Sequence, residues 1–386
     1  MTAVREPGFN RALSLFPRIG ILGFFWLESL LDQRVLMRKD RIRWAAAVAG
    51  LLGMTAAAAA ETLTLLNWEE YLDPAVIERW EVETGIRIDQ VYFDNDERRD
   101  QILVDVGRHD IDLVVVDEVA SRLFGERGLI HAPTREQAPN LQHLEPDFQA
   151  QCSQYAVPYM WGTLGIAYRA DKVAKPTSWA DIMEPPAALY GHIGMMDDIT
   201  DMLAPTLLLN GHSINTDDRG ELEQTFEALR QQVPAVLTYD YAITYLQTSA
   251  QADELYMATV YSGDQEVLNA ISGSEQWHYV VPDEGTILWV DCLSVVTDSP
   301  QARWAERFID FLNRPEIAAL NAEALWVGTP NRAARALLGS EVRADQTVYP
   351  PESVMAKRQL YEPISDENLL LRQRMTHAIR KLHESQ

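Results

Sequence analysis

A continuous apolar run constrains the fold of this chain most strongly. Leu113–Val116 consists of four consecutive aliphatic residues, which is typical of a parallel strand that is buried on both faces. Two strand-like segments and two helix-like segments alternate before this run. The strand-like segments are Glu61–Asn67 and Ile86–Tyr92. The helix-like segments are one that begins at Asp73-Pro74 and ends at Gly85 and one near Glu97–Val106. This β-α-β-α-β order predicts an α/β lobe with a mainly parallel sheet.

The rest of the chain predicts a second lobe of the same class. Strands are expected at Tyr155–Tyr168, Ile193–Met196, Met257–Tyr261 and Thr286–Val296, with helices at Ser178–Met183, Asp217–Gln231, Ala302–Leu312 and from Pro315 onward. We expect residues 61–162 and 292–337 to form lobe 1. Residues 163–291 and 338–386 would form lobe 2 and a C-terminal tail. Strand-like sequence at the expected crossings favours β-strand hinges over flexible linkers.

The N-terminal region has the composition of an export signal. Arg38, Lys39, Arg41 and Arg43 precede an uncharged run that ends in Ala58-Ala59-Ala60. A basic stretch, an apolar stretch and small residues before a polar start predict a cleaved signal peptide over 37–60. The alternative is a membrane anchor, but the run is short and alanine-rich for a span. Residues 1–36 are interpreted as an upstream extension from a start codon assigned too early.

Charge and cysteine content limit the classes of partner. The chain has 57 acidic and 33 basic residues, for a net charge of −24. Nucleic acid is excluded as a partner because phosphate binding requires a basic surface. An acidic surface suits cationic ligands, although solubility alone also explains the bias. Export permits a disulfide between Cys152 and Cys292. Their large separation in sequence leads us to expect two buried free thiols instead.

Acidic and aromatic residues recur where the predicted strands end. Ligands of open α/β sheets bind beyond the carboxyl ends of the strands, and a cleft lined by carboxylates and aromatic faces suits an organic cation. The residues concerned are Trp68, Glu69, Tyr71, Asp117, Asp198, Asp201, Tyr261, Asp264, Trp289 and Asp291. Each also has a structural interpretation, because an aspartate after a strand often caps a helix and most tryptophans belong to the core.

Catalytic and metal-binding motifs are scarce. The sequence contains no G-x-S-x-G, H-E-x-x-H, P-loop or G-x-G-x-x-G motif, and each of those motifs has a defined chemistry. The eight histidines are scattered, with none paired at metal-ligand spacing. We therefore predict a binding protein rather than an enzyme, with no cofactor and no metal site.

Six motifs together resemble the bacterial periplasmic spermidine/putrescine-binding proteins of ABC importers, which have the two-lobed type II solute-binding fold. In chain order they begin at Asn67, Tyr155, Thr177, Asp197, Trp289 and Gly328, with the sequences NWEEY, YAVPYMWGT, TSWAD, DD, WVD and GTPN. They span essentially all of 61–350. The resemblance implies periplasmic localisation and a polyamine ligand held between the lobes.

The resemblance also implies roles for individual residues. Trp68 and Tyr71 match the aromatic residues of the family's polyamine slot. Trp289 matches the tryptophan that stacks on ligand methylenes, Asp291 and Asp198 match acids that hold amines, and Asp201 stands where the spermidine binder has glutamate. The sequence departs from the family at Glu69, Asp117, Val119 and Tyr261, where the family has threonine, serine, tyrosine and tryptophan. Trp326 lies one residue earlier than expected.

These departures leave the length and identity of the cation open. The main expectation is a monomer that delivers a polyamine to an ABC transporter permease. The alternative is a polyamine sensor that signals to a membrane receptor controlling a cyclic dinucleotide. Other type II binders take thiamine or ferric iron, and Tyr239 and Tyr241 weakly resemble the paired tyrosines of iron binders. We expect those two residues in a surface helix or in the core.

Overall fold

The computed structural model describes residues 61–69, 71–93, 95–106 and 110–386. The predicted signal peptide and the upstream extension lie outside the described residues. Within the described part, ten strands join one sheet: β1 (Thr62–Trp68), β2 (Arg87–Phe93), β3 (Leu113–Val116), β4 (Ile130–His131), β5 (Val157–Arg169), β6 (Ile193–Gly194), β7 (Val236–Thr238), β8 (Met257–Tyr261), β9 (Trp277–Val280) and β10 (Leu288–Val296).

The sheet consists of two parallel groups joined by two long antiparallel strands. Its order is β2-β1-β3-β10-β5-β8-β6-β7, with β4 beside β10 and β9 beside β5. Strands β2, β1 and β3 are parallel to one another, and so are β8, β6 and β7. Strand β5 pairs with β10 up to Thr163 and with β8 from Leu164 onward. It therefore passes from one group of strands to the other between Thr163 and Leu164.

Helices follow most of the strands, as the sequence predicts. They are α1 (Pro74–Thr84), α2 (Asp96–Gln101), α3 (Glu118–Glu126), α4 (Pro146–Gln151), α5 (Ala180–Met183), α6 (Ala204–Leu209), α7 (Arg219–Gln232), α8 (Ala242–Thr248), α9 (Asp264–Ser272), α10 (Ala302–Leu312), α11 (Pro315–Leu325), α12 (Arg332–Arg335), α13 (Ser340–Ala344), α14 (Glu352–Met355) and α15 (Asp366–Glu384). A π-helical turn over Ile102–Val106 continues α2.

Local sequence determines the bounds of helix α1. The side chain of Asp73 accepts a hydrogen bond from the amide of Ala75, and Pro74 occupies the first helical position, where its missing N–H costs nothing. Gly85 ends the helix in a left-handed conformation with φ of 73°, which a residue without Cβ adopts without strain. The predicted start and end of this helix are confirmed.

The hydrophobic core separates into the same two halves as the sheet. Two buried clusters draw their residues from 63–161 and 288–349, and two others draw theirs from 164–287 together with Met375 and Ile379. Leu338, Val342 and Val348 pack in the first half, so the C-terminal tail is shared between the halves. The division into two lobes that move as separate bodies stays a prediction.

Cys152 and Cys292 form a disulfide, so the prediction of two free thiols is wrong. Their sulfur atoms are 1.97 Å apart and their Cα atoms 5.7 Å apart, which is normal geometry for a disulfide. Cys152 directly follows α4, and Cys292 lies in β10 next to Asp291. Both belong to one buried cluster. The fold brings them together across 140 residues, a proximity that spacing in the sequence does not reveal.

Among the described residues, no helix has both the length and the apolar character that a membrane span requires.

Candidate functional site

Asp291 lies where strand β10 departs from regular pairing. The register of β10 against β5 shifts between Asp291 and Cys292, and such a bulge redirects the neighbouring side chains. Tyr71 Oη donates a hydrogen bond of 2.6 Å to Asp291 Oδ2. Tyr159 Oη in turn donates to the carbonyl oxygen of Tyr71 at 2.9 Å. Burial raises the pKa of Asp291 to about 7, against a smaller lowering by the Tyr71 hydrogen bond.

Trp289 precedes Asp291 by two residues and so projects from the same face of β10. It pairs with Gly162 of β5, and a Cβ on Gly162 would lie 2.3 Å from Cζ2 of the indole. The missing side chain at Gly162 therefore makes room for the indole. The ring of Tyr261 approaches it edge-on, with centroids 6.0 Å apart. The indole Nε1 is buried without a hydrogen-bond partner among the described residues.

Asp201 organises the second half of the site. Its side chain is 1% exposed, and it accepts hydrogen bonds from the hydroxyls of Tyr261 and Tyr361. Burial raises the pKa of Asp201 to about 7, and the neighbouring Asp198 adds to this rise. Asp201 therefore fixes two aromatic side chains, one at the end of β8 and one in the segment that precedes α15.

Asp198 is exposed at the loop that follows β6. Its Oδ1 accepts hydrogen bonds from the amides of Thr200 at 2.7 Å and Asp201 at 3.0 Å. The neighbouring Asp197 forms an ion pair with Arg380 of α15. Asp198 thus has the local capping contacts that a structural interpretation predicts, and it also contributes negative charge beside Asp201 and Tyr361.

Asp117 already forms an ion pair with a side chain of the protein itself, that of Arg99. Its Oδ1 caps α3 by accepting from the amide of Ala120 at 2.7 Å, and its Oδ2 lies 3.0 Å from Nη1 of Arg99. Arg99 is 2% exposed and also contacts Asp96 and Asp100, at 2.7 and 2.9 Å. A ligand amine would therefore compete with Arg99 for Asp117.

The residues of the first motif occupy different environments. Trp68 is half-buried at the end of β1, where its ring packs 4.4 Å from that of Phe93. Glu69 is exposed in the turn that follows. The contacts described above form two groups, Tyr71 with Asp291 and Trp289 with Tyr261 and Asp201, and Trp289 and Asp291 share one face of β10. Beside Trp68, the Arg99 side chain lies 5.9 Å from the centroid of the Phe93 ring.

Three residues near the site, namely Glu118, Tyr361 and Arg99, are not among the predicted site residues. Glu118 is 3% exposed, and neither of its carboxyl oxygens has a hydrogen-bond partner among the described residues. Tyr361 donates a hydrogen bond to Asp201, and Arg99 forms an ion pair with Asp117. The strand-end pattern at Asp117 extends to Glu118, but no pattern links Arg99 or Tyr361 to the site.

The tyrosine pair at 239 and 241 serves packing and hydrogen bonding. Tyr239 is 7% exposed within a core cluster, and Tyr241 donates to the carboxylate of Asp264. Among the residues that the structure describes, no group of three or more His, Cys, Asp or Glu side chains has an arrangement that suits a metal ion.

The sheet order and the two halves of the core are those of a two-lobed solute-binding protein. Residues 75–349 match the bacterial extracellular solute-binding protein family, and the chain belongs to that family. This is a family of binding proteins, as the sequence predicts. The predicted α/β two-lobed fold with β-strand crossings is confirmed by solved neighbours. The substrate-binding protein of a spermidine/putrescine ABC transporter from Streptococcus pneumoniae superposes with a TM-score of 0.73 at 25% identity, over 84% of this chain and 99% of that one.

Two characterised relatives cover nearly the whole described chain. The norspermidine sensor of Vibrio cholerae is 35% identical over 329 residues, which is 85% of this chain and 91% of the relative. The spermidine/putrescine-binding periplasmic protein of Escherichia coli is 31% identical over 325 residues, or 81% and 91% of the two chains. The predicted resemblance to the spermidine/putrescine-binding proteins is confirmed.

Proposed function

We propose that this protein binds a protonated polyamine between its two halves in the periplasm and delivers it to an ABC importer. The observation that carries the proposal is the convergence of carboxylates from both halves on one set of aromatic rings. Asp291 comes from the first half and Asp201 from the second. Trp289, on the same face of β10 as Asp291, contacts Tyr261, whose hydroxyl donates to Asp201. The relatives named above support the ligand class.

The chemistry of the residues suits an extended dication or trication. An ammonium about 4 Å from a carboxylate gains on the order of 4 kcal/mol before desolvation, at an effective dielectric near 20. Aromatic faces add about 0.5–2 kcal/mol for an adjacent amine, and they also cover methylenes. We assign the two end amines to Asp291 and Asp198, and the methylenes to Trp68, Tyr71, Trp289 and Tyr261. Asp201 positions Tyr261, while Glu69 lies at the edge.

Ligand binding would favour closure of the cleft. Burial of these acids away from water is unfavourable for their charged form, and it raises the pKa values of Asp291 in the first half and Asp201 in the second. A bound polycation removes that penalty only in the closed state, in which both halves contact it. Binding and closure are then coupled through this difference in affinity. Strands β5 and β10 provide the crossings about which the halves would rotate.

Isothermal titration calorimetry of residues 61–386 against putrescine, spermidine and norspermidine tests the proposal. We expect saturable binding of at least one polyamine by a monomer, with the monomeric state checked by light scattering. An amino acid and a sugar serve as controls that lack the separated amines of a polyamine, and they should produce no binding heat. Binding of either control with no response to any polyamine would overturn the proposal.

A second function is favoured by the relative from Vibrio cholerae, which is a norspermidine sensor and is 35% identical to this chain. We propose sensing as the alternative to transport at the same site. Uptake of radiolabelled polyamine by cells with and without the gene separates the two functions. Loss of uptake supports delivery to a permease. Unchanged uptake with co-purification of a membrane receptor supports sensing.

A further inference from the structure

Glu118 is a buried acid that the contacts of the fold leave unsatisfied. It directly follows Asp117 as the first residue of α3, and its residue is 3% exposed. Neither carboxyl oxygen makes a hydrogen bond to any part of the chain that the structure describes. The amides of Glu118 and Val290 approach closely enough to lower its pKa slightly, but burial and Asp117 raise it well above its ordinary value. Burial of an unpaired carboxyl group is costly.

The neighbouring acids differ from Glu118 in having donors. Asp117 accepts from Arg99 and Ala120, Asp291 accepts from Tyr71, and Asp201 accepts from two tyrosines. Arg99, which lies beside Asp117, is committed to Asp117, Asp96 and Asp100. Within the described protein, Glu118 therefore has two backbone amides nearby but no formed hydrogen bond, whereas Asp117, Asp291 and Asp201 each accept at least one.

Glu118 interacts electrostatically with groups from both halves of the site. It and Asp291 of the first half repel each other, and its charge also acts on Tyr361, which donates a hydrogen bond to Asp201 of the second half. An acid at the first position of α3 interacts favourably with the helix dipole. That effect accounts for the residue type, but it operates equally well on an exposed side chain and does not account for burial without a partner.

We propose that Glu118 is a ligand-binding residue that receives a protonated secondary amine in the middle of the polyamine, between the end amines held by Asp291 and Asp198. This inference rests on the proposed function and adds to it a preference for ligands with an internal amine. A diamine would leave Glu118 without a donor. A triamine satisfies it with the N–H groups of its central nitrogen.

Two ligands of equal length isolate this contact. Norspermidine and the heptane diamine with one amine at each end have the same number of chain atoms between their terminal amines, and they differ only in the central nitrogen. We expect the unmodified protein to bind norspermidine more tightly. Glu118→Gln should weaken norspermidine binding by about 30-fold or more, as for a truncated buried charge pair, and should change diamine binding by less than about threefold.

Two further variants separate a ligand contact from a structural role. Glu126→Gln removes an exposed acid from the other end of the same helix and should leave both affinities unchanged. Glu118→Asp keeps the charge one methylene further from the ligand and should retain an intermediate preference for norspermidine. If Glu118→Gln does not fold, Glu118→Asp still tests the proposal, because an unchanged preference in that variant would contradict it.

The outcomes distinguish this inference from the function on which it rests. Equal losses for both ligands in Glu118→Gln, or no loss for either, would overturn the role of Glu118 while leaving polyamine binding in place. Failure of the unmodified protein to bind either ligand would overturn the proposed function and this inference with it.

Discussion

The hydroxyl of Tyr71 donates a 2.6 Å hydrogen bond to the carboxylate of Asp291, which lies 220 residues further along the chain. This contact joins the loop after β1 to the bulge of β10. It also lowers the pKa of Asp291 against the larger effect of burial. Tyr71 therefore helps to keep Asp291 ionised for a cationic ligand.

The first prediction follows from that contact. Tyr71→Phe removes the hydrogen bond and should raise the pKa of Asp291, so the fall in polyamine affinity on acidification should begin at higher pH. Calorimetric titrations between about pH 6 and about pH 8.5 would locate the midpoint relative to the unmodified protein. Tyr92→Phe, on an exposed tyrosine of β2, is the matched control. An unchanged midpoint in Tyr71→Phe would contradict the assignment.

Asp291→Asn should nearly abolish polyamine binding. Removal of one partner from a buried charged pair costs about 2–5 kcal/mol, which corresponds to about 30-fold to several-thousand-fold in affinity. Glu223→Gln is the control, because Glu223 is on the exposed face of α7, where it forms a surface ion pair with Arg219. Calorimetry measures both variants. Undiminished affinity in Asp291→Asn would show that the site lies elsewhere.

The stability of the ligand-free protein should decrease as pH rises. Burial raises the folded-state pKa values of Asp291 and Asp201 to about 7, whereas unfolded carboxyls titrate at about pH 4. Between these values the unfolded chain releases protons that the folded chain retains, so the free energy of unfolding falls as pH increases through this window. Urea unfolding at about pH 5 and about pH 8 measures the change.

Asp291→Asn should reduce this pH dependence, because the amide does not titrate. Glu227 beside Arg230 has a lowered pKa and titrates below this pH range, and the other acids with raised pKa values, such as Asp201, are common to both proteins, so the comparison isolates Asp291. Saturating polyamine should reverse the trend, since the ligand requires ionised acids. Identical pH profiles for the two ligand-free proteins would argue against a protonated Asp291.

Gly162→Ala should disturb the position of Trp289. The added Cβ would lie 2.3 Å from the indole and 2.5 Å from Ser262 Oγ, and overpacking of this kind costs about 1–3 kcal/mol of stability. Displacement of the indole should also weaken ligand binding by about 2- to 30-fold. Thermal unfolding and calorimetry measure the two effects. Gly220→Ala in exposed α7 is the control, and it should leave both unchanged or slightly increase stability.

Loss of the disulfide should destabilise the protein. Cys152 and Cys292 close a loop across 140 residues, and removal of a native disulfide costs about 2–5 kcal/mol. The double variant Cys152→Ser/Cys292→Ser should therefore unfold at a lower temperature, and reductant should lower the melting temperature of the unmodified protein but not of the variant. Equal melting temperatures for the two proteins without reductant would contradict this.

Much of the fold was predictable because local patterns determine it. The apolar run Leu113–Val116, the cap at Asp73 and the glycine at position 85 act within a few residues of where they stand, so the sequence predicts β3 and the bounds of α1. The carboxyl ends of parallel strands meet at one edge of a sheet, which is why acids at separate strand ends were expected to converge.

Contacts between distant segments were not predictable in the same way. Local spacing carries no information on Cys152 and Cys292, on Arg99 beside Asp117, or on Tyr361 beside Asp201, because each pair forms only when separate elements pack. Glu118 shows the difference most clearly. The sequence determined that an acid begins α3 after a buried strand, whereas the tertiary structure decided that this acid is buried without a donor, since packing alone determines which polar groups lose water and which partners remain within reach.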